Sequence, residues 1–203
     1  KANRGLEILQ DTTKEVGSQW LGTRDVPTCH DCLGDIALRG LPKIVQVFIK
    51  HEDLGAEDLE RKLYLIRKMS EARIKKEGFE HKDVYIPSFS CKTIVYKGLF
   101  TAEQIEEFYP DLVDSRLKSA IALVHQRYST NTFPSWSLAH PFRYLAHNGE
   151  INTLRGNINK MKAREYTMSS DLFKDDLKKL YPIIDSENSD SGIFDNVFEF
   201  LVN

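Results

Sequence analysis

Residues 56–76 constrain the fold most. Leu59, Leu63, Ile66 and Met69 recur at spacings of three and four, so a helix puts them on one apolar stripe that another surface has to cover. The charges run the way a helix dipole favours, with Glu57, Asp58 and Glu60 near the start, Arg73, Lys75 and Lys76 near the end, and Gly78 beyond as a stop. The cover must come from segments of other periods. Residues 44–49 (IVQVFI) form a β-branched run of strand length after Pro42. Residues 83–86 and 89–96 read as two strands of a hairpin, the second alternating Phe89, Cys91, Thr93 and Val95 against Ser90, Lys92, Ile94 and Tyr96. Residues 120–124 and 143–146 read as buried strands. A short helix opens on the capping-box pair Thr101 and Gln104 and ends at Pro110; further helices are expected from Thr153 into KMKAREYTM and over residues 171–180. Helices and strands mix without a βαβ rhythm, which predicts a layered α+β domain covering residues 1–203.

The 203 residues carry 28 Lys+Arg against 30 Asp+Glu, a formal net charge of -2, so no positive field gathers phosphate backbones and nucleic-acid binding is not expected. No apolar run approaches the ~18 residues of a bilayer-spanning helix, and the opening KANRGLEILQDTTKEVG lacks the apolar stretch of a secretory signal. Three cysteines without a framework fit a reducing compartment, and the expectation is a soluble, cytoplasmic protein. Trp20, Trp136 and the eleven Phe read as core residues.

Two polar clusters follow predicted strands: HQRYSTNTFPSW at 125–136 and HNGEINTLRGN at 147–157. In the first, Arg127 offers a planar fork of donors suited to a carboxylate. In the second, Asn148-Gly149 pairs a side-chain amide with an unobstructed backbone N–H, the donors a developing oxyanion needs. A third stretch, DSENSDSG at 185–192, presents Asp190 to an ammonium group. Each has a plainer reading. Asn-Gly is the commonest type I′ hairpin turn, a lone arginine is usually a surface ion-pair partner, and DSENSDSG looks like a solvated loop. On composition and spacing alone the function stays open.

The segment HQRYSTNTFPSWSLAHPFRYLAHNGEINTLRGN, residues 125–157, closely resembles the signature of the glutaminase domain of glutamate synthase large subunits, a class II glutamine amidotransferase domain. The likeness extends from about Ser115 to Gly192 and, more loosely, to Gly17–Trp20 and residues 44–49. It implies the Ntn-hydrolase fold, a four-layer α-β-β-α sandwich, and hydrolysis of L-glutamine to L-glutamate and ammonia by an N-terminal cysteine thiolate whose own α-amine handles the proton. It also implies roles: Arg127 for the substrate α-carboxylate, Asn148 and the Gly149 N–H for the oxyanion, Asp190 for the α-ammonium. In a whole glutamate synthase the ammonia aminates 2-oxoglutarate at a distant site holding FMN and an iron-sulfur cluster. The remaining synthase domains, and a small subunit or ferredoxin, are the implied partners. This chain begins with Lys1, so the expectation is that the nucleophile-bearing strand is absent, that the chain alone is inactive, and that the sheet edge left exposed is met by self-association, by a disordered margin or by a second polypeptide that supplies the lost strands. The alternative is a non-catalytic glutamine- or glutamate-binding or assembly module.

Cys29-His30-Asp31-Cys32 has the spacing of half a zinc site, but Cys91 with His51 or His81 does not supply a second half, so no metal is expected and residues 24–40 read as a variable surface loop. His125, His140 and His147 lack a ligand spacing and read as core or loop-bracing residues.

Overall fold

The computed structural model describes residues 1–126 and 134–203. Helix α1 (Ala2–Glu15) leads into strand β1 (Gln19–Asp25), a short helix α2 (Asp35–Arg39), strand β2 (Val45–Lys50) and the long helix α3 (Ala56–Lys76). Beyond it lie α4 (Gln104–Phe108), a 3-10 turn at Pro110–Val113, α5 (Leu154–Glu165), a second 3-10 segment at Lys174–Leu180, and α6 (Asp190–Val202). β1 and β2 pair antiparallel as a two-stranded sheet, with Gln19 opposite Lys50 and a register shift between Trp20 and Gly22. Among the described residues this is the one sheet. No helix among them is long and apolar enough to cross a membrane.

Helix α3 spans the predicted residues and stops where expected: Gly78 takes φ 84 and Phe79 N–H closes back on the Ile74 carbonyl, a left-handed cap open to glycine. Its burial is wider than one stripe. Leu63, Tyr64, Leu65, Ile66 and Arg67 are all buried, because α3 is covered from two sides. On one side Leu63 and Ile66 meet Leu9 of α1, with Trp20, Val47 and Ile49 of the sheet around them. On the other, Tyr64 and Leu65 pack on Phe173, Leu177 and Leu180 of the second 3-10 segment. A third cluster joins Leu33 and Ala37 to Phe108, Tyr109 and Trp136. The segment read as a variable surface loop thus contributes α2 and two core residues.

Four predicted strands are absent from the described residues, because their backbone groups are engaged elsewhere or their side chains face solvent. Over 89–96 side chains take the amides a ladder would use: Glu60 accepts from Cys91 N–H and Ser90 Oγ, Ser90 Oγ accepts from Lys92 and Thr93 N–H, and Ser88 Oγ accepts from Val95 N–H. Residues 83–86 begin as a turn, with Asp83 and Val84 N–H both on the Glu80 carbonyl. Residues 120–124 are exposed, Ile121 at 84% and Val124 at 78%. At 143–146 the Arg143 and Tyr144 amides donate to the Asp195 carboxylate of α6 instead of a neighbouring strand. The predicted helix at 171–180 is a 3-10 segment starting at Lys174. The capping pair does form its reciprocal half, Thr101 N–H donating to Gln104 Oε1 at 2.8 Å.

Buried charge ties α3 to α6. Arg67, 2% exposed, donates to Glu71 at 2.6 Å and to Glu199 of α6 at 2.5 Å, and Arg143 reaches Glu71 at 3.1 Å. A second pair, His81 Nε2 with Asp185, pins the start of the polar stretch before α6. The hydrogen bond to Asp185 raises the His81 pKa above 6.5, and the same bond pulls Asp185 from 3.8 down to about 2. The Asp185 contribution to stability is therefore complete above pH 3.8 and lost as pH falls towards 2, while the His81 contribution is complete below pH 6.5 and lost as pH rises through its raised value. The expected result is a stability maximum between those limits, read from urea midpoints across pH, whose alkaline limb flattens in His81→Gln.

Candidate active site

The site is built where the 147–151 loop meets the first turn of α6. Ser189 caps that helix, its hydroxyl accepting from Gly192 N–H at 3.2 Å, which puts Asp190 at the first helical position. The Asp190 carboxylate accepts from Ser191 N–H at 2.6 Å and Ser191 Oγ at 3.0 Å on one oxygen, and from Ile151 N–H at 2.8 Å on the other. Burial alone would raise its pKa, but these backbone and hydroxyl donors, with His147 nearby, outweigh burial and hold it below 3.8. A carboxylate has about four lone-pair positions, so one acceptor site is left for a cation.

Gly149 and Asp190, predicted as separate contacts, are brought together by two residues that were not assigned roles. Gly149 N–H donates to His147 Nδ1 at 3.0 Å, and His147 Nε2 lies 2.9 Å from Ser191 Oγ. Asn148 sits exposed between His147 and Gly149 at the loop tip. Arg127 falls outside the described residues. The loop is braced from behind: His125 Nε2 donates to the His147 carbonyl at 3.1 Å, and the His125 and His140 rings lie 4.3 Å apart. Burial first, then the neighbouring His125 and His147, push His140 down to about 4, so it stays neutral at ordinary pH. The bracing read from the sequence is what His125 and His140 do, and His147 does more.

Two further residues position the site. Asp195, fully buried on α6, holds the Arg143 and Tyr144 amides on the approach to the loop. Lys97, 6% exposed, donates to the Ser137 and Ala139 carbonyls at 2.8 and 2.9 Å and fixes the segment before it; burial lowers its pKa to about 7. Ser189 followed by an apolar-periodic run was a readable N-cap signal for α6; nothing local marks Lys97. Lys97 and Arg143 also line a cavity of about 50 Å³, but Asn148, Gly149 and Asp190 do not, so the candidate site is the loop–helix junction.

None of the cysteines has the character of the expected nucleophile. Cys29 N–H is a peptide amide that donates to the Phe108 carbonyl, and burial raises the thiol pKa of Cys32 and, to about 11, that of Cys91. Cys32 Sγ donates to the Cys29 carbonyl at 3.3 Å, and all three cysteines are free thiols. No group of three or more His, Cys, Asp or Glu among the described residues is placed to hold a metal ion, so these residues do not fit an iron-sulfur cluster.

Known sequences place the chain. Residues 1–203 match the family "Glutamine amidotransferases class-II". The chain is 51% identical over 191 residues to the "Glutamate synthase [NADPH] large chain" of Bacillus subtilis (strain 168), covering 93% of this chain and 12% of that protein. It is 46% identical over 201 residues to "Glutamate synthase [NADH]" of Saccharomyces cerevisiae, covering 96% and 9%. To the "Ferredoxin-dependent glutamate synthase" of Pyropia yezoensis it is 43% identical over 199 residues, covering 96% and 13%. The chain thus spans roughly a tenth of the length of the curated relatives it matches. With the match running the full 203 residues, the chain belongs to the class II glutamine amidotransferases.

Proposed function

We propose that this chain is the glutamine-binding part of a glutaminase domain of the glutamate synthase kind, within the four-layer sandwich of Ntn hydrolases, and that its parent protein splits L-glutamine to glutamate and ammonia for the reductive amination of 2-oxoglutarate. The observation that supports the reading is the junction of Gly149 and Asp190 through His147 and Ser191, which links a backbone N–H and a carboxylate; we read them as the oxyanion donor and the partner of the α-ammonium. Arg127 supplies the third contact, a bidentate grip on the α-carboxylate. Asn148 and Gly149 N–H stabilise the negative oxygen as a thiolate adds to the side-chain carboxamide. The attacking thiolate belongs to a cysteine with a free α-amine, which Cys29, Cys32 and Cys91 are not; they are assigned no catalytic role. The family's flavin and iron-sulfur cluster serve the synthase reaction, in other domains, with NAD(P)H or ferredoxin as the electron source.

The test is titration calorimetry with L-glutamine and L-glutamate on this chain and on Arg127→Ala, beside an ammonia-release assay. Binding to the parent chain that weakens by roughly 30-fold or more in the variant, without ammonia release, supports the reading. Binding unchanged by the substitution removes Arg127 from the site, and turnover by this chain refutes the exclusion of its three cysteines.

A further inference from the structure

The bonds joining the 147–151 loop to α6 run in one direction. A backbone amide only donates, so His147 Nδ1 is the acceptor for Gly149 N–H at 3.0 Å. A neutral imidazole then carries its proton on Nε2, which donates to Ser191 Oγ at 2.9 Å, and the Ser191 hydroxyl in turn donates to Asp190 Oδ1 at 3.0 Å. The reverse polarity at Ser191 would leave both ring nitrogens as acceptors, an anionic imidazolate. Four groups thus form an ordered relay, Gly149 to His147 to Ser191 to Asp190.

We propose that His147 is a positioning residue that couples recognition of the substrate α-ammonium at Asp190 to exposure of the Gly149 N–H, so that the site selects α-amino acid amides over carboxamides lacking the amine. The proposal rests on the reading of Gly149 as an oxyanion donor and Asp190 as the ammonium partner. One N–H cannot serve the ring nitrogen and an oxyanion at full strength, so the imidazole has to yield. The means lies at the far end of the relay. Asp190 already accepts three bonds and has one acceptor position left, so an ammonium that brings three N–H donors to it also draws on the Oδ1 lone pairs that the Ser191 hydroxyl uses. Ser191, 4% exposed, has no solvent to turn towards, and its hydroxyl redirects to the imidazole side, ending its role as acceptor for Nε2–H. The ring swings about its own side-chain torsions, because the His147 carbonyl is held by His125 and the loop backbone stays in place. A carboxamide without the amine leaves Asp190 and Ser191 undisturbed, and Gly149 stays engaged.

The experiment is nitrogen-15 NMR on this chain, reading the His147 ring tautomer and the solvent exchange of the Gly149 amide, in the parent chain and in Ser191→Ala. The parent is expected to show the Nε2–H tautomer and a protected Gly149 amide. Ser191→Ala is expected to mix the tautomers and to speed Gly149 exchange at least about tenfold without ligand. L-glutamine should mix the His147 tautomers in the parent, and its deaminated analogue 4-carbamoylbutanoate should not. A Ser191→Ala chain with the parent's tautomer and exchange overturns the relay. Equal mixing of the His147 tautomers by glutamine and the analogue overturns the coupling, as does calorimetrically bound glutamine that leaves the Nε2–H tautomer in place. Glutamine that fails to bind, while Ser191→Ala still shifts the tautomer, overturns the substrate reading and the coupling built on it and leaves the relay supported.

Discussion

Glu199→Ala is expected to lower the free energy of unfolding by about 3–5 kcal/mol, the cost of leaving buried charge without its partner. Glu199 is 5% exposed and sits 2.5 Å from Arg67 Nη2 and 3.7 Å from Arg143 Nε. Arg67 is itself 2% exposed, so water does not take over when the carboxylate is removed. Glu71 alone then faces two guanidinium groups, at 2.6 Å from Arg67 and 3.1 Å from Arg143. Equilibrium urea unfolding reads the loss. The double replacement Arg67→Met with Glu199→Met removes one charge of each sign, leaves Glu71 with Arg143, and should recover most of the stability. A double variant as unstable as Glu199→Ala would show that packing, and not charge balance, sets the cost.

The second large effect is on ligand binding. Asp190→Asn is expected to weaken L-glutamine binding by about 30-fold or more, the equivalent of about 2 kcal/mol, because the neutral amide no longer balances an α-ammonium. The amide also turns one N–H towards Ile151 N–H or Ser191 N–H, so a modest fall in melting temperature accompanies the loss. Binding of 4-carbamoylbutanoate separates the two effects. It should be nearly the same in Asp190→Asn as in the parent chain; a parallel loss for both ligands would mean that the substitution has disordered the loop.

What could be read from the sequence follows from how local its causes are. Helix α3 and strand β2 appear within a residue or so of their expected places because period, charge order and the Gly78 stop all lie within the segment. The 89–96 hairpin failed because Glu60, thirty residues upstream, and the serines at 88 and 90 take its amides, a competition that no alternation pattern shows. Helix α1 was missed for another reason. Thr12 and Thr13 are fully buried with their hydroxyls returned to the Ile8 and Leu9 carbonyls, so polar letters occupy core positions. The DSENSDSG stretch looked like solvated loop, yet its Ser189 caps α6. At the site, the chemistry of Asn148-Gly149 and of Asp190 was legible residue by residue. The link between them was not, because His147 and Ser191 meet across forty-four positions of chain.

Helix α6 also sets a length. It grips the approach to the loop through Asp195 and the loop's far side through Asp190, at Ile151. Five residues at 1.5 Å rise separate the two grips by about 7.5 Å, and an α-helix hardly stretches. The helix is therefore a gauge block for the loop: residues 143–151 span a distance that their own sequence does not determine. Insertions or deletions between Arg143 and Ile151 must bulge outward or tear a grip loose, whereas substitutions at the exposed tip leave the gauge untouched.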